Sequence, residues 1–295
     1  MNVDRTIALR RLLGIELPLI QAPMAGAQVG KLAIAVSNAG GLGSLPCAML
    51  AVDAVRSELA AIKAATSKPY NVNFFCHTPP VPNAEREAAW RKMLSPYYKE
   101  YSNDPGSIPA GPGRAPFSAA VADVLEEFKP AVVSFHFGLP SAELLARVRA
   151  WGSKILSSAT SVDEARWLEA RGVDAIIAQS SEAGGHQGVF LSEDVSAQVG
   201  TFSLVPQIVR AVKVPVIAAG GIADAQGVAA AIALGAAGVQ IGTAYLLCPE
   251  ATTSAVHRAA LKSEAARKTA DRAQKARLTP LAARLLSSLY RWRRR

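Results

Sequence analysis

The stretch Ala178-Gln-Ser-Ser-Glu-Ala-Gly-Gly-His-Gln-Gly188 sets one histidine, His186, among three glycines. Histidine is the side chain most readily used as a base near neutral pH. Glycines allow positive φ and let backbone come close to a ligand. The chemistry this pattern could do is removal or relay of a proton at His186. A solvent-exposed loop with an incidental histidine is the plainer alternative.

Two later stretches point to an anion. Val214-Pro-Val-Ile-Ala-Ala-Gly-Gly-Ile222 is a strand pattern running into Gly220-Gly221, and Ala237-Gly-Val-Gln-Ile-Gly-Thr243 is another ending in Gly242-Thr243. Each is followed by a helical pattern. Bare backbone N–H groups and helix N-termini at such strand ends suit a phosphate. In a (β/α)8 barrel the loops after strands 7 and 8 are the usual place for one.

The elements that must position these loops read as an alternation. Apolar runs of strand length occur at Leu17–Pro23, Gly41–Ser44, Tyr70–Phe75, Ala131–Gly138, Lys154–Ser158, Val173–Ala178, Val214–Ala219 and Ala237–Thr243. Between them lie helical patterns, for example Val52–Ala65 with Val52, Val55, Leu59 and Ile62 on one face. Ser141 is a plausible N-cap, Asp224 caps the helix after Gly220-Gly221, and Ser161-Val-Asp-Glu164 has capping-box form. Eight strands alternating with helices predict an α/β fold, a (β/α)8 TIM barrel. A doubly wound open sheet fits less well, because no GxGxxG follows the first strand.

Residues 76–116 break the rhythm with Pro79, Pro80, Pro82, Pro96, Pro105, Pro109, Pro112 and Pro116. They read as an insertion after strand 3, a lid or a surface decoration, with a helix possible over Ala84–Leu94. Cys76-His77 has no partner at metal-ligand spacing, so no metal is expected. His136, at the end of strand 4, could hold a substrate oxygen or be a satisfied buried histidine. Glu182 could add a charge to the site or simply be solvated.

The net charge of +9 is confined to residues 262–295, which hold 11 of the 32 Lys/Arg and two of the 23 acids. In the remainder the charges cancel, so the basic pI says nothing about the barrel's ligand, and no nucleic acid is expected. Three cysteines without CxxC spacing fit a reduced cytoplasmic protein. No apolar run reaches the ~18 residues of a membrane span. Two domains are expected: a barrel over 1–266 and a basic tail over 267–295. Leu278, Leu281, Leu285, Leu289 and Trp292 fall on one helical face of that tail. Packing onto the barrel, or no selected role, is preferred for it over membrane contact.

With these residues in place, Gln21-Ala-Pro-Met24, Glu182-Ala-Gly-Gly-His186, Ala218-Ala-Gly-Gly-Ile222 and Gln240-Ile-Gly-Thr243 resemble the signatures of the nitronate monooxygenase (2-nitropropane dioxygenase) family. The resemblance covers roughly residues 14–265. It implies FMN and the oxidation by O2 of alkyl nitronates and, as in some members, nitroalkanes, to carbonyl compounds plus nitrite or nitrate. It places the phosphate on backbone around Gly220, Gly221, Gly242 and Thr243. The rest of the cofactor falls against Pro23, Met24, Ala25, Asn73, Gln179, Gly184, Gly185, Gln240 and Ile241. His186 becomes the catalytic base or a hydrogen-bond donor. The small-molecule partners implied are a nitronate or nitroalkane and O2, with a homodimer possible. The family pattern is expected to continue past residue 266 with a segment different from the Asp271–Arg295 found here, which bears on whether the flavin pocket is closed. Two other readings are a flavin-type enoyl-acyl-carrier-protein reductase using NAD(P)H and a non-catalytic FMN-binding protein.

Overall fold

Eight strands pair in parallel: β1 Leu19–Gln21, β2 Gly43–Pro46, β3 Tyr70–Phe75, β4 Val132–His136, β5 Lys154–Ala159, β6 Ala175–Gln179, β7 Val216–Ala219 and β8 Gly238–Ile241. The computed structural model describes residues 2–79, 81–106, 114–192, 194 and 197–267. The strand order is β1-β8-β7-β6-β5-β4-β3-β2. A parallel bridge between Ile20 and Leu42 joins the two ends, so the sheet closes as the expected (β/α)8 barrel. Helices follow the strands: α2 Gly30–Asn38, α3 Val52–Ala65, α5 Ala119–Phe128, α6 Ala142–Ala150, α7 Val162–Ala170, α8 Thr201–Ala211 and α9 Ala225–Ala233. Each turns an apolar face inward, as Val55, Leu59 and Ile62 do in α3.

The chain divides into two compact units, residues 1–79 with 114–253, and residues 80–113 with 254–295. The first holds the barrel. In the second, α4 (Ala84–Glu100) is longer than the Ala84–Leu94 helix expected, and Pro96 is accommodated inside it. The Asn83 side chain caps α4 by accepting from Arg86 N at 2.9 Å. After β8 the chain does not enter an α-helix at once. A 3-10 turn, Thr243–Leu247, comes first, and α10 is confined to Ala255–Lys262. Most of the expected basic tail, from residue 268 on, lies outside the described residues. Among the described residues no helix is long and apolar enough to cross a membrane.

An additional helix, α1 (Asn2–Leu13), precedes the barrel. The sequence pattern predicts no element there, because its apolar residues are interrupted by Asp4, Arg5, Arg10 and Arg11. Leu9 and Leu13 of α1 are buried with Ile15, Ile20, Leu42, Val132, Leu156, Ile217 and Ala237. A Cβ on Gly238 would sit 2.8 Å from Pro18 O, and Leu9 Cδ2 occupies the space above it. The helix therefore plugs the N-terminal end of the barrel.

Strand β2 starts at Gly43 rather than Gly41. The Gly40 and Gly41 N–H groups first bond back to Ser37 O (3.0 Å) and Val36 O (3.1 Å) and close α2. The seam between β1 and β2 carries two backbone bonds, Gln21 N to Leu42 O (2.9 Å) and Leu42 N to Leu19 O (2.8 Å), and is reinforced by side chains. Gln21 Oε1 accepts from Ser44 N (2.9 Å), Gln21 Nε2 donates to Gln28 Oε1 (2.5 Å), and Gln28 Nε2 donates to Ser44 O (2.5 Å). All three residues are buried, so these bonds satisfy groups that water cannot reach.

Candidate active site

The parity of the strands decides which side chains enter the barrel. Ile20, Ile177, Ile217 and Ala219 belong to the inner cluster. The register Ile20↔Gln240, Ala219↔Gln240 and Gln179↔Ala219 puts Gln179 and Gln240 on the same inward parity, at the C-terminal mouth. Phe75 and His136 are likewise paired in register at the ends of β3 and β4.

His186 stands on the loop after β6, and its backbone is tightly held. Its carbonyl accepts from Gln179 Nε2 (2.9 Å) and from His136 Nε2 (3.1 Å). A carbonyl can only accept, so His136 carries its proton on Nε2, and its Nδ1 accepts from Ser158 Oγ at 2.5 Å. His136 is thus the satisfied histidine of the two sequence alternatives. Burial pushes its pKa from 6.5 down to about 4, against the raising effect of the bond to His186 O, so it stays neutral. Gln179 Oε1 accepts from Gly188 N (2.7 Å), fixing its amide orientation. A Cβ on Gly188 would lie 2.7 Å from His136 Cε1, so this position needs glycine.

The His186 ring stays solvent-accessible. Its Nε2 lies 3.1 Å from Arg114 Nη1. Guanidinium only donates, so Nε2 accepts and is unprotonated. Partial desolvation, then the nearby Arg114 cation and His77, lower the His186 pKa below its ordinary 6.5. Phe75 and Phe137 flank the ring edge-on, with centroids 5.8 and 6.2 Å away. Phe137 itself has φ +67°, an unusual conformation for an aromatic residue. It touches Phe75 (5.0 Å) and His136 (4.4 Å) as well, so the strained residue organises this corner.

The glycine stretches occupy the neighbouring strand ends. Nothing lies within 4 Å of a Cβ built on Gly184 or Gly185. Gly220 has φ +125°, and a Cβ there would run into Ser180 Oγ and sit 2.8 Å from Ala183 N. A hydroxyl relay ties this turn to the His186 loop: Ser180 Oγ bonds Thr201 Oγ1 (2.7 Å), which donates to Gly220 O (2.7 Å). Ala22 N donates to Ile241 O at 2.7 Å. Met24 Sδ lies 3.6 Å from the Cβ position of Gly242, so the loops after β1 and β8 meet. Thr243, Pro23 and Ala25 stand on these same two loops. Asn73 is buried and spends its Nδ2 on Ser134 Oγ (2.9 Å) and Ser134 O (3.3 Å). Gln240 Oε1 is buried with no hydrogen-bond partner among the described residues.

Two carboxylates prove structural. Glu182 Oε2 accepts from Thr201 N (2.7 Å) at the start of α8, so it is neither a free site charge nor simply solvated. Glu164 completes only half of the expected capping box. Its N–H bonds Ser161 Oγ (3.2 Å), but its carboxylate takes Thr160 N (2.7 Å), Thr160 Oγ1 (2.8 Å) and, across the loop, Phe190 N (2.7 Å). The sequence pattern assigns no site role to Arg114, Phe137 or Ser158. Arg114 sits in the proline-rich insertion, where no periodicity marks it.

The family model "Nitronate monooxygenase" matches residues 7–291. The chain belongs to the nitronate monooxygenase family. A nitronate monooxygenase of Paraburkholderia phytofirmans is 46% identical over 267 residues, 89% of this chain and 72% of that protein. One from Pseudomonas aeruginosa is 44% identical, over 88% of this chain and 74% of that protein. Among solved structures, nitroalkane oxidase from Streptomyces ansochromogenes superposes with a TM-score of 0.78 at 40% identity, covering 88% of this chain and 73% of that one. FabK from Thermotoga maritima gives 0.66 at 31% identity, covering 87% and 68%. As a nitronate monooxygenase family member, the chain is an oxidoreductase, and its barrel is the one these relatives share.

Proposed function

We propose that this protein binds FMN at the C-terminal mouth of the barrel and oxidises alkyl nitronates, and nitroalkanes after proton removal, with O2. The products are a carbonyl compound and nitrite or nitrate. The observation that carries this reading is the state of His186: unprotonated at Nε2, with a lowered pKa, on a loop fixed from behind by Gln179 and His136.

The residues present fit a flavin. Gln240 Oε1 is a buried acceptor with no donor among the described residues, and a flavin ring edge carries an N–H group. Gly184 and Gly185 leave open space where side chains would stand. Gly220, Gly221, Gly242 and Thr243 would hold the phosphate, and Pro23, Met24, Ala25 and Ile241 would line the ring. Asn73 and Gln179 sit beneath them with their amide N–H groups already directed to Ser134 and His186. Bound FMN supplies the electron acceptor for the nitronate and the route to O2.

His186 does the proton chemistry. A nitroalkane's α-proton needs a positioned acceptor, and Nε2 is one at neutral pH because its pKa lies below the ordinary value. The imidazolium so formed stabilises the oxygens that take up the charge. A preformed nitronate needs no proton removed, and His186 then acts by hydrogen bonding. Phe75 and Phe137 keep water from one side of the imidazole.

The test is the visible spectrum of the purified protein, followed by anaerobic addition of propionate 3-nitronate. A flavin absorbance that bleaches and returns in air is expected. A flavin indifferent to nitronate, with NAD(P)H consumed only when an enoyl thioester is present, would replace this reading by the reductase one. A protein without flavin would overturn it.

A further inference from the structure

We propose that Arg114 is the anion-binding residue of this site, and that it exchanges its hydrogen bond to His186 Nε2 for bonds to the two oxygens of the nitro or nitronate group. The proposal rests on the reading of His186 as base and adds the group that selects the substrate's charge.

Arg114 is 72 residues from His186 in the chain, yet its backbone is tied to the site. A parallel bridge pairs Pro116 with Phe75, and Phe117 N donates to Phe75 O at 2.8 Å. The end of β3 therefore anchors the chain two residues beyond Arg114, beside the ring that flanks His186. The guanidinium is exposed, and among the described residues no carboxylate lies within 4.0 Å of it. Other groups around His186 are Phe75, Phe137, His77 and His136, the last held neutral by burial. Arg114 is the cation of this set, a planar guanidinium with a fork of donors.

An occupied lone pair cannot accept a proton. With Arg114 donating to Nε2, the base is masked until something draws the guanidinium away. A nitro group does so with two coplanar oxygens that match the guanidinium fork. On proton transfer the α-C–H bond breaks and the proton goes to Nε2. The electron pair moves onto the nitro oxygens, where the contact with Arg114 becomes charge-assisted. Binding strengthens as the proton leaves, which is the condition for an interaction to speed that step. A nitronate arrives with the charge already in place and gains the full contact on binding.

Nitrate is a planar, unreactive oxyanion and serves as probe. Its affinity for the intact flavoprotein, measured by calorimetry, is expected to fall roughly 10- to 100-fold in Arg114→Gln, as for loss of a charge-assisted bond, with Arg114→Lys between. The His186 imidazole, assigned among the four histidines by His186→Asn, should titrate at higher pH in Arg114→Gln when followed by NMR. The KM for propionate 3-nitronate should rise in step with the nitrate dissociation constant. Unchanged nitrate affinity in Arg114→Gln, or no nitrate binding by the unaltered chain, overturns the proposal. Arg114-dependent nitrate binding in a chain that leaves nitronate untouched would sink the oxidation reading and keep Arg114.

Discussion

At the N-terminal end of the barrel, Leu9 and Leu13 of α1 lie among Ile20, Leu42, Val132 and Ile217, all buried and all apolar. At the C-terminal end the strands present His136, Gln179 and Gln240, whose Oε1 is buried with no donor among the described residues, and the loops there carry glycines that leave space open. Side-chain parity is continuous from one end to the other, so the difference is one of residue choice. The sealed end gains stability from dry contact. The open end keeps polar groups whose partners are loops, carbonyls and, in our reading, ligands. Damage should therefore register in different observables at the two ends.

The largest effect is expected at the open end and in rate alone. His186→Ala should lower nitroalkane turnover by about 10² to 10⁴, the usual share of a general base. Turnover of the preformed nitronate should fall much less, with flavin content and melting temperature kept. Equal retention of both activities in stopped-flow assays would remove His186 as the base. Leu9→Ala should do the reverse. Loss of a fully buried leucine at the plug costs about 2–5 kcal/mol by chemical denaturation, with KM for nitronate unchanged. A fall in nitroalkane turnover as large as that of His186→Ala would mean that the two ends are not separable.

His136 belongs to both accounts. Its folded pKa of about 4 lies below the ordinary 6.5, so the unfolded chain takes up the proton first. Stability should fall as pH drops from 6.5 toward about 4, by about 3 kcal/mol from this group. His136→Gln should flatten that slope in denaturation curves at pH 7 and pH 4.5; an unchanged slope would place the titration elsewhere. The smallest change is expected for Asp224→Ala. Asp224 caps α9 through Gly227 N at 2.8 Å, and its loss should cost about 1 kcal/mol. A larger loss, accompanied by release of flavin, would show that the turn at Gly220-Gly221 depends on this cap.

Most of the barrel was legible because each strand is a short apolar run and each helix repeats its apolar face. α3 falls at Val52–Ala65 as read. Pattern failed where burial is decided by a distant partner. α1 shows too few apolar residues to be read alone, since the cavity that accepts Leu9 is built by strands far along the chain. In the site, the glycines and histidine of residues 184–188 were visible as types, but their wiring was not. Glu182 looks like a loop charge, and Glu164 like an ordinary capping-box partner, until their N–H partners are known. Arg114 had no signal at all, because its role comes from one backbone bridge at Pro116.

The plug also fixes an order of events at the ribosome. Leu9 is made before every strand of the barrel, and its seat includes Gly238 of β8, while Arg5 donates to Gly235 O at 3.1 Å. Until those residues emerge, a nascent chain carries α1 with its apolar side uncovered. That side is available to a holding chaperone or to another nascent chain while the strands are being made. Barrel closure and plug insertion are thus coupled to the last strand, and a stalled chain ending before β8 would keep its first helix without a place to go.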